Sequence, residues 1–463
     1  MLNRRIAAHL LMLMTAACLV AGCSDDSTAP DDNDPAPAAH LWSARFGDAD
    51  TQMGYAIAVD AAGNMIVAGV FEGAIDFGGG PLTCVSDIDV FIAKFGPDGA
   101  HLWSRRFGGT GSQSFPAIAV DDAGQVFLAG MLHGAVDFGG GALVDAGDGD
   151  AFVAKFTPNG AHIWSRRFGD ANQQYVSAIG VDDSGQVIIT GLLSGTADFG
   201  GGPLTSAGDK DIFVAKFDAN GAHLWSRRMG DTNLQVPTSI AVDHSGQVAV
   251  AGAFIGSVDF GGGALTSAGD YDIFLAKLGS SGEHIWSRRF GDAGTQVTVV
   301  TAVDELGNVI LAGGFDGSMD FDGGALVSAG NTDIFVAKFG PGGDYLWRAR
   351  YGDAEYQSAE AVTVDALGNV IITGAMRGSA DFGGGLLTSA GQEDLFVARM
   401  GSDGAPVWSR RFGDAAIQSG YGVAVDASEN VCVTGLFLGS IDFGGVVLTS
   451  AGSLDACVVK LAP

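Results

Sequence analysis

The sequence predicts an all-β chain folded as a seven-bladed β-propeller with four-stranded antiparallel blades. Three observations carry that prediction. All seven tryptophans, Trp42, Trp103, Trp164, Trp225, Trp286, Trp347 and Trp408, stand 61 residues apart without an insertion or deletion. A fixed period of that size marks a repeat architecture. Each repeat consists of short apolar, β-branched runs bounded by Gly, Asp and Asn, as strands and hairpins require, with no sustained helical period. The ordered part opens with a Trp strand near His40 and finishes with the other three strands of a unit, at Val458-Val459-Lys460-Leu461. One blade should therefore join the N-terminal strand to the three C-terminal strands and seal the ring, leaving no open edge between first and last repeats. A parallel β-helix is the runner-up; it needs shorter rungs and end caps, and the sequence shows no caps.

Each unit reads as four strands in order. The first carries Trp, as in His223-Leu224-Trp225-Ser226-Arg227-Arg228. The second is apolar and ends in Asp, as in Ala58-Val59-Asp60, followed by a tight Asp-x-x-Gly-Asn/Gln turn. The third is apolar, as in Val187-Ile188-Ile189-Thr190-Gly191. A longer segment of the form DFGGGxLTSAG leads to the fourth strand, Asp211-Ile212-Phe213-Val214-Ala215-Lys216-Phe217. That segment makes the unit longer than common propeller blades of about 40–50 residues. The chain has 463 residues, 73 of them Gly and only 24 Lys or Arg, which suits many short strands joined by turns.

Residues 1–23 read as a targeting segment. Arg4 and Arg5 form a positive n-region, and residues 6–20 an apolar run shorter than the roughly 20 residues of a membrane span. Val20-Ala21-Gly22-Cys23 then resembles the lipobox of bacterial lipoproteins, which implies cleavage before Cys23 and a lipid anchor on its thiol. Ser24 follows the cysteine, with Asp25 and Asp26 after it, and the reading leans towards the outer membrane or cell surface. Residues 24–39, SDDSTAPDDNDPAPAA, are acidic and Pro-rich and read as a disordered tether, leaving 40–463 for the propeller. Removing residues 1–23 takes away two arginines and no acid, so the net charge of −29 becomes −31. Such a surface excludes nucleic acid and leaves cations, basic partners and neutral glycans.

The Trp strand, FGD, the apolar strand ending in VD, GNVxxxG and DxFVAKF together resemble the bacterial seven-bladed propeller repeat (SBBP-type) proteins over residues 40–463. The resemblance implies the fold and exported or surface placement. It implies hardly anything about activity, because the DFGGGxLTSAG segment is longer than in the short form of that repeat.

A residue present in every unit is first explained by the blade. Asp60 and its six equivalents are predicted turn acceptors, as are Asp76 and its equivalents. Gln52, Gln113, Gln174, Gln235, Gln296, Gln357 and Gln418 are predicted inter-blade clamps. Asp89, Asp150, Asp211, Asp272, Asp333, Asp394 and Asp455 are predicted solvated turn carboxylates. Three units show Asp-x-Asp, at Asp148/Asp150, Asp209/Asp211 and Asp270/Asp272; these are weak calcium candidates, since they lack the full spacing of a calcium loop. No other cofactor is expected. His40, His101, His162, His223 and His284 sit one per unit and cannot converge on a shared metal. Cys432 and Cys457 fall in neighbouring strands and are read as buried thiols, with a bridge as the alternative.

A site for one asymmetric ligand should use positions where units differ. The most variable position in the long segment holds Glu72, His133, Ser194, Ile255, Asp316, Arg377 and Leu438. A second holds Ile88, Gly149, Lys210, Tyr271, Thr332, Glu393 and Leu454. The connection after the Trp strand varies through Met53, Tyr55, Phe115, Tyr175, Pro237, Tyr356, Glu360 and Tyr421. From these, the candidate binding residues are Met53, Tyr55, Glu72, Phe115, His133, Tyr175, Tyr271, Asp316, Tyr356, Glu360, Arg377 and Tyr421. With the Trp strand outermost, the long segments should crown the face that carries them. Aromatic groups beside polar ones suit glycan or protein recognition. No GxSxG, HExxH or isolated His/carboxylate pair marks an enzyme. The reading is thus a monomeric, membrane-anchored, non-catalytic scaffold for a protein, peptide or glycan. The alternatives are a structural envelope protein and, more remotely, a propeller hydrolase or lyase. Shifted carboxyl pKa values near His133, Glu72 or Glu360 would favour the enzyme.

Overall fold

The computed structural model describes residues 38–463 apart from 293 and 295, and of residues 296–298 the backbone only. Cys23 and residues 24–37 of the expected tether lie outside the described residues.

Seven four-stranded antiparallel sheets follow one another along the chain. Blade 1 runs from the axis outwards as Gln52–Val59, Met65–Phe71, Asp89–Phe95 and His101–Phe107. The next five blades repeat this order. Blade 7 comprises Gln418–Val425, Val431–Phe437, Asp455–Leu461 and, as its outer strand, His40–Phe46. That N-terminal strand pairs antiparallel with Asp455–Leu461, setting Ser43 opposite Val459. The inner strands touch in ring order, the last against the first. The seven-bladed ring and its closure are as predicted.

The two middle strands of each blade are buried along their whole length. They can be apolar on both faces because a core lies on each side. One such core joins Phe127, Ala129 and Val153 of blade 2 to Val187, Ile189 and Phe213 of blade 3. The closing core joins Cys432, Ala456 and Val458 of blade 7 to Met65, Val67 and Phe91 of blade 1. Burying each Phe contributes about 2 kcal/mol. Ala38 is buried and its carbonyl accepts from Arg410, while the Ala462 amide donates to the Ala39 carbonyl at 2.8 Å. Ordered packing therefore starts two residues before the boundary drawn at 40.

The long segments do not crown the propeller. Each folds into a short hairpin, such as Thr196–Asp198 with Pro203–Thr205. Its Phe inserts between blades: Phe199 lies 5.0 Å from Phe168 and 4.7 Å from Phe213. Its glycine tip packs on the histidine that opens the outer strand, and a Cβ on Gly201 would come within 2.4 Å of His223 Cε1. Hydrophobic anchoring thus lays the segment against the outer rim. Only its first and last residues stay near the axis.

The repeat-constant polar residues form a complete scaffold. Asp60 Oδ1 accepts the amides of Ala62 (2.9 Å) and Asn64 (3.0 Å), as a turn acceptor should. Its Oδ2 also faces Lys94 Nζ at 2.8 Å, in a buried ion pair that the sequence reading missed. Lys216–Asp182, Lys277–Asp243, Lys338–Asp304 and Lys460–Asp426 repeat it at 2.8–3.2 Å, and Lys155–Asp121 at 3.8 Å. Blade 6 substitutes Arg399, which bonds Asp365 and, at 2.7 Å, Glu429 of blade 7. Glu429 takes a turn position held by glycine in the other blades, at φ +63°. That conformation costs a non-glycine about 1 kcal/mol, which the added ion pair offsets. Gln52, fully buried, donates to Asp48 (2.8 Å) in the connection from blade 7 and to the Glu72 carbonyl (3.0 Å) of blade 1, as a clamp should, and Gln174, Gln235, Gln357 and Gln418 repeat the bond to their aspartates; the Gln296 side chain lies outside the described residues.

The aspartates that open the third strands are not solvated. Asp89, Asp150, Asp211, Asp272, Asp333, Asp394 and Asp455 are fully buried. Each takes an arginine of the adjacent outer strand, as Arg106 bonds Asp89 at 2.7 Å and Arg167 bonds Asp150. Of the calcium candidates, Asp150, Asp211 and Asp272 are therefore committed to Arg167, Arg228 and Arg289, and also accept backbone amides of their own loops. Asp148, Asp209 and Asp270 are exposed. Among the described residues no group of three or more His, Cys, Asp or Glu is placed to hold a metal ion. Cys432 stands opposite Lys460 and Cys457 opposite Gly435, in different inter-blade cores, so the pair stays reduced.

Candidate functional site

Inner strands begin at the face where the blades connect. The register of that strand shifts in all seven blades, and in five of them the same repeat position, Tyr55, Ser177, Thr238, Glu360 or Tyr421, drops out of the ladder. A bulge re-aims its side chain. All five are half-buried, and their shared repeat position places them at one level around the axis. Blades 6, 7 and 1 supply Glu360, Tyr421 and Tyr55; blades 3 and 4 supply only Ser177 and Thr238. The mouth of the channel is therefore lopsided, with bulk and negative charge on one side and small hydroxyls across from them.

The crowded side is aromatic and acidic. The rings of Tyr55 and Tyr421 meet at 5.6 Å, tilted by 51°. The Tyr55 hydroxyl rests on Met53 Sδ at 3.6 Å, and Met53, only 4% exposed, is a floor rather than a contact surface. Burial pushes the Tyr55 phenol up to about 12. Burial, then the negative charge of Glu360, raises Tyr356 and Tyr421 as well. Glu360 is itself raised by burial. Glu393 ends the long segment of blade 6, where its backbone bridges Ile417 of the next connection. It is 9% exposed. Burial first, then Glu360, lifts its carboxyl to about 7 against the pull of Arg377. Two carboxylates without a counter-charge resist ionising together. Arg377 is turned to Glu355, at 3.4 Å. Ser358, fully buried on the same strand, turns its hydroxyl towards Glu360 and Tyr356, lowering both against the effect of burial.

On from Tyr55 around the ring, Phe115 of blade 2 stacks on Tyr175 of blade 3 at 4.8 Å and 22°. Phe115 is 46% exposed and sits at φ +57°. A bulky residue there is an outlier, and such strain concentrates at functional sites.

Of the candidates, Tyr55, Phe115, Tyr175, Tyr356, Glu360 and Tyr421 line the mouth, with Met53 beneath. Arg377 borders it. Glu72, His133, Tyr271 and Asp316 stand on separate blades and do not join it. Glu72 is raised by burial and by Asp50 and Asp87. His133 Nδ1 lies 3.6 Å from Asp145. Asp316 caps its own turn through the Gly317 amide at 2.7 Å. Tyr271 is half-buried. Glu393 and Ser358 belong to the mouth but were not among the candidates. For Glu393 the signal was present, as an acid at a position that varies from blade to blade.

No family model matches the chain. A WD repeat-containing protein of Acanthamoeba polyphaga mimivirus, itself uncharacterised, is 21% identical over 86% of this chain and 36% of its own length. Regulatory protein FlaEY of Caulobacter vibrioides is 27% identical over 43% of this chain and 21% of its own. The chain thus spans well under half the length of either relative. Similar solved structures include a protein of unknown function from Dyadobacter fermentans (11% identity, 92% of this chain, 98% of that one, TM-score 0.42). The β-propeller domain of the Trilobed protease from Pyrococcus furiosus is 9% identical over 88% of this chain and 93% of its own, with a TM-score of 0.42. An ulvan lyase is 12% identical over 86% of this chain and 93% of its own, with a TM-score of 0.46.

Proposed function

We propose that this chain is a non-catalytic binding scaffold of the bacterial cell envelope. A lipid on Cys23 anchors it to the outer membrane or cell surface, and the channel mouth receives a protein, peptide or glycan. One observation carries the reading. The polar groups of the blade scaffold recur blade by blade and hold one another, whereas the mouth gathers aromatic and acidic groups that differ from blade to blade. Exposed aromatic rings beside polar groups are what recognition surfaces use. A purely structural envelope role would not require that asymmetry.

The raised Glu360 and Glu393 favour a second reading, a hydrolase or lyase using paired carboxyls as acid and base. Against it, the neighbouring cation that would neutralise a developing anion, Arg377, is held by Glu355. The test is a pull-down and glycan-array screen with the full-length chain, with and without chelator, alongside Phe115→Ala and Tyr421→Ala. A partner retained by the parent and lost by both variants is expected. A partner that binds both variants unchanged, or turnover of a polysaccharide by the parent, overturns the scaffold reading. Loss of lipid from the Cys23→Ser protein, seen by intact-mass measurement, checks the anchor.

A further inference from the structure

The structure leaves Glu360 and Glu393 without a cation. Among the described residues no Lys, Arg or His forms an ion pair with either. Every other carboxylate as buried as Glu393 has one, as Lys94 for Asp60, Arg106 for Asp89 and Arg399 for Asp365. Buried charge without a partner is costly. Glu360 and Glu393 are left unpaired beside Tyr356 and Tyr421. Beside them Ser358 Oγ, fully buried, faces Glu360 and Tyr356 and has no other hydrogen-bond partner among the described residues. Tyr55 and Tyr421 meet at a 51° tilt, with Tyr421 next to these acids, and ring faces attract cations. The chain's net charge of −29 draws cations towards the mouth.

Resting on the reading of the mouth as the binding site, we infer that it takes a protonated primary amine, held by Glu360 and Glu393 between Tyr356, Tyr421 and Tyr55. The ammonium supplies the missing counter-charge, and its aliphatic stem runs along the rings. The groups facing Glu393 are Glu360, Tyr356, Tyr421 and Arg377, with Glu355 holding Arg377. Binding a cation brings the Glu393 carboxyl back towards its ordinary range, so binding releases a proton and affinity rises with pH.

The experiment is calorimetric titration of the full-length chain with 1,5-diaminopentane and with Nα-acetyl-lysine amide, against 1,5-pentanediol as the uncharged control. Saturable binding of the amines but not of the diol is expected, about tenfold tighter at about pH 8 than at about pH 6. Glu360→Gln and Glu393→Gln should each weaken it about tenfold, and Tyr421→Phe, which keeps the ring, by less than about threefold. The tighter of the two amines tells a free polyamine from a lysine side chain. Equal binding of the diol, or amine binding untouched by both carboxylate variants, overturns the inference. If no amine binds while the partner found in the screen still depends on Phe115 and Tyr421, the inference falls and the mouth stands. If that partner ignores those residues too, both fall. Unchanged melting cooperativity shows that the variants are folded.

Discussion

The inner-strand turns and the channel mouth of this propeller treat buried charge in opposite ways. In the turn that ends an inner strand, Asp304 and Lys338 lie 2.9 Å apart, each 3% exposed, and the same pair recurs around the ring. At the mouth, burial and then Glu360 raise the cost of ionising Glu393, and among the described residues neither acid forms an ion pair. The difference separates residues that make a blade from residues that are available to a ligand. Symmetry satisfies the first set, and only an outside group can satisfy the second.

The largest effect should come from breaking one of these turn pairs. Lys338→Met fills the space but leaves Asp304 buried and alone, which should cost about 3–5 kcal/mol in urea unfolding. A loss under about 1 kcal/mol would mean that the turn pairs are no better matched than the mouth. Asp304 is held below its ordinary range: burial opposes ionisation, and Asn308 and Lys338 outweigh it. Its contribution is therefore present above the unfolded value of 3.8 and is lost as pH falls further.

The mouth should respond with the opposite sign. Glu393 is raised from 4.5 to about 7 in the fold, so its ionisation opposes folding, and stability should decline as pH rises across that interval. Glu393→Gln should recover about 1–3 kcal/mol at about pH 8 and little at about pH 4. A variant less stable than the parent at the higher pH would show that a cation already sits on the carboxylate.

The smallest effect probes the seam. Trp286 Nε1 donates to the Pro341 carbonyl at 2.9 Å, in the turn of the next blade. Trp408, 5% exposed, has no acceptor among the described residues, because the chain ends replace that turn in blade 7. Trp286→Phe should cost about 1 kcal/mol more than Trp408→Phe. Equal losses in thermal unfolding would show that the seam is as well bonded as the rest of the ring.

Most of the scaffold was legible because repetition exposes it. The Trp spacing gave the blade count, and the unit split between the chain ends gave the closure. The burial of Asp150 was not legible, since an Asp beside a glycine turn looks solvated until Arg167 is seen to reach it from the next strand. Nor was the fate of the long segment: DFGGG reads as a loop, and only the Phe168–Phe199–Phe213 stack shows that it is pinned to the rim. Glu429 and Arg399 vary together, yet a single chain offers no way to see that they touch.

By itself, the order of residues determined the strands, their number, and the ring they close, because alternation, turns and period are local properties. The tertiary structure alone decided which carboxylates meet a cation and which do not. That depends on where neighbouring blades bring their side chains, and residues 33 positions apart, such as Glu360 and Glu393, become partners only once the ring has set their distance.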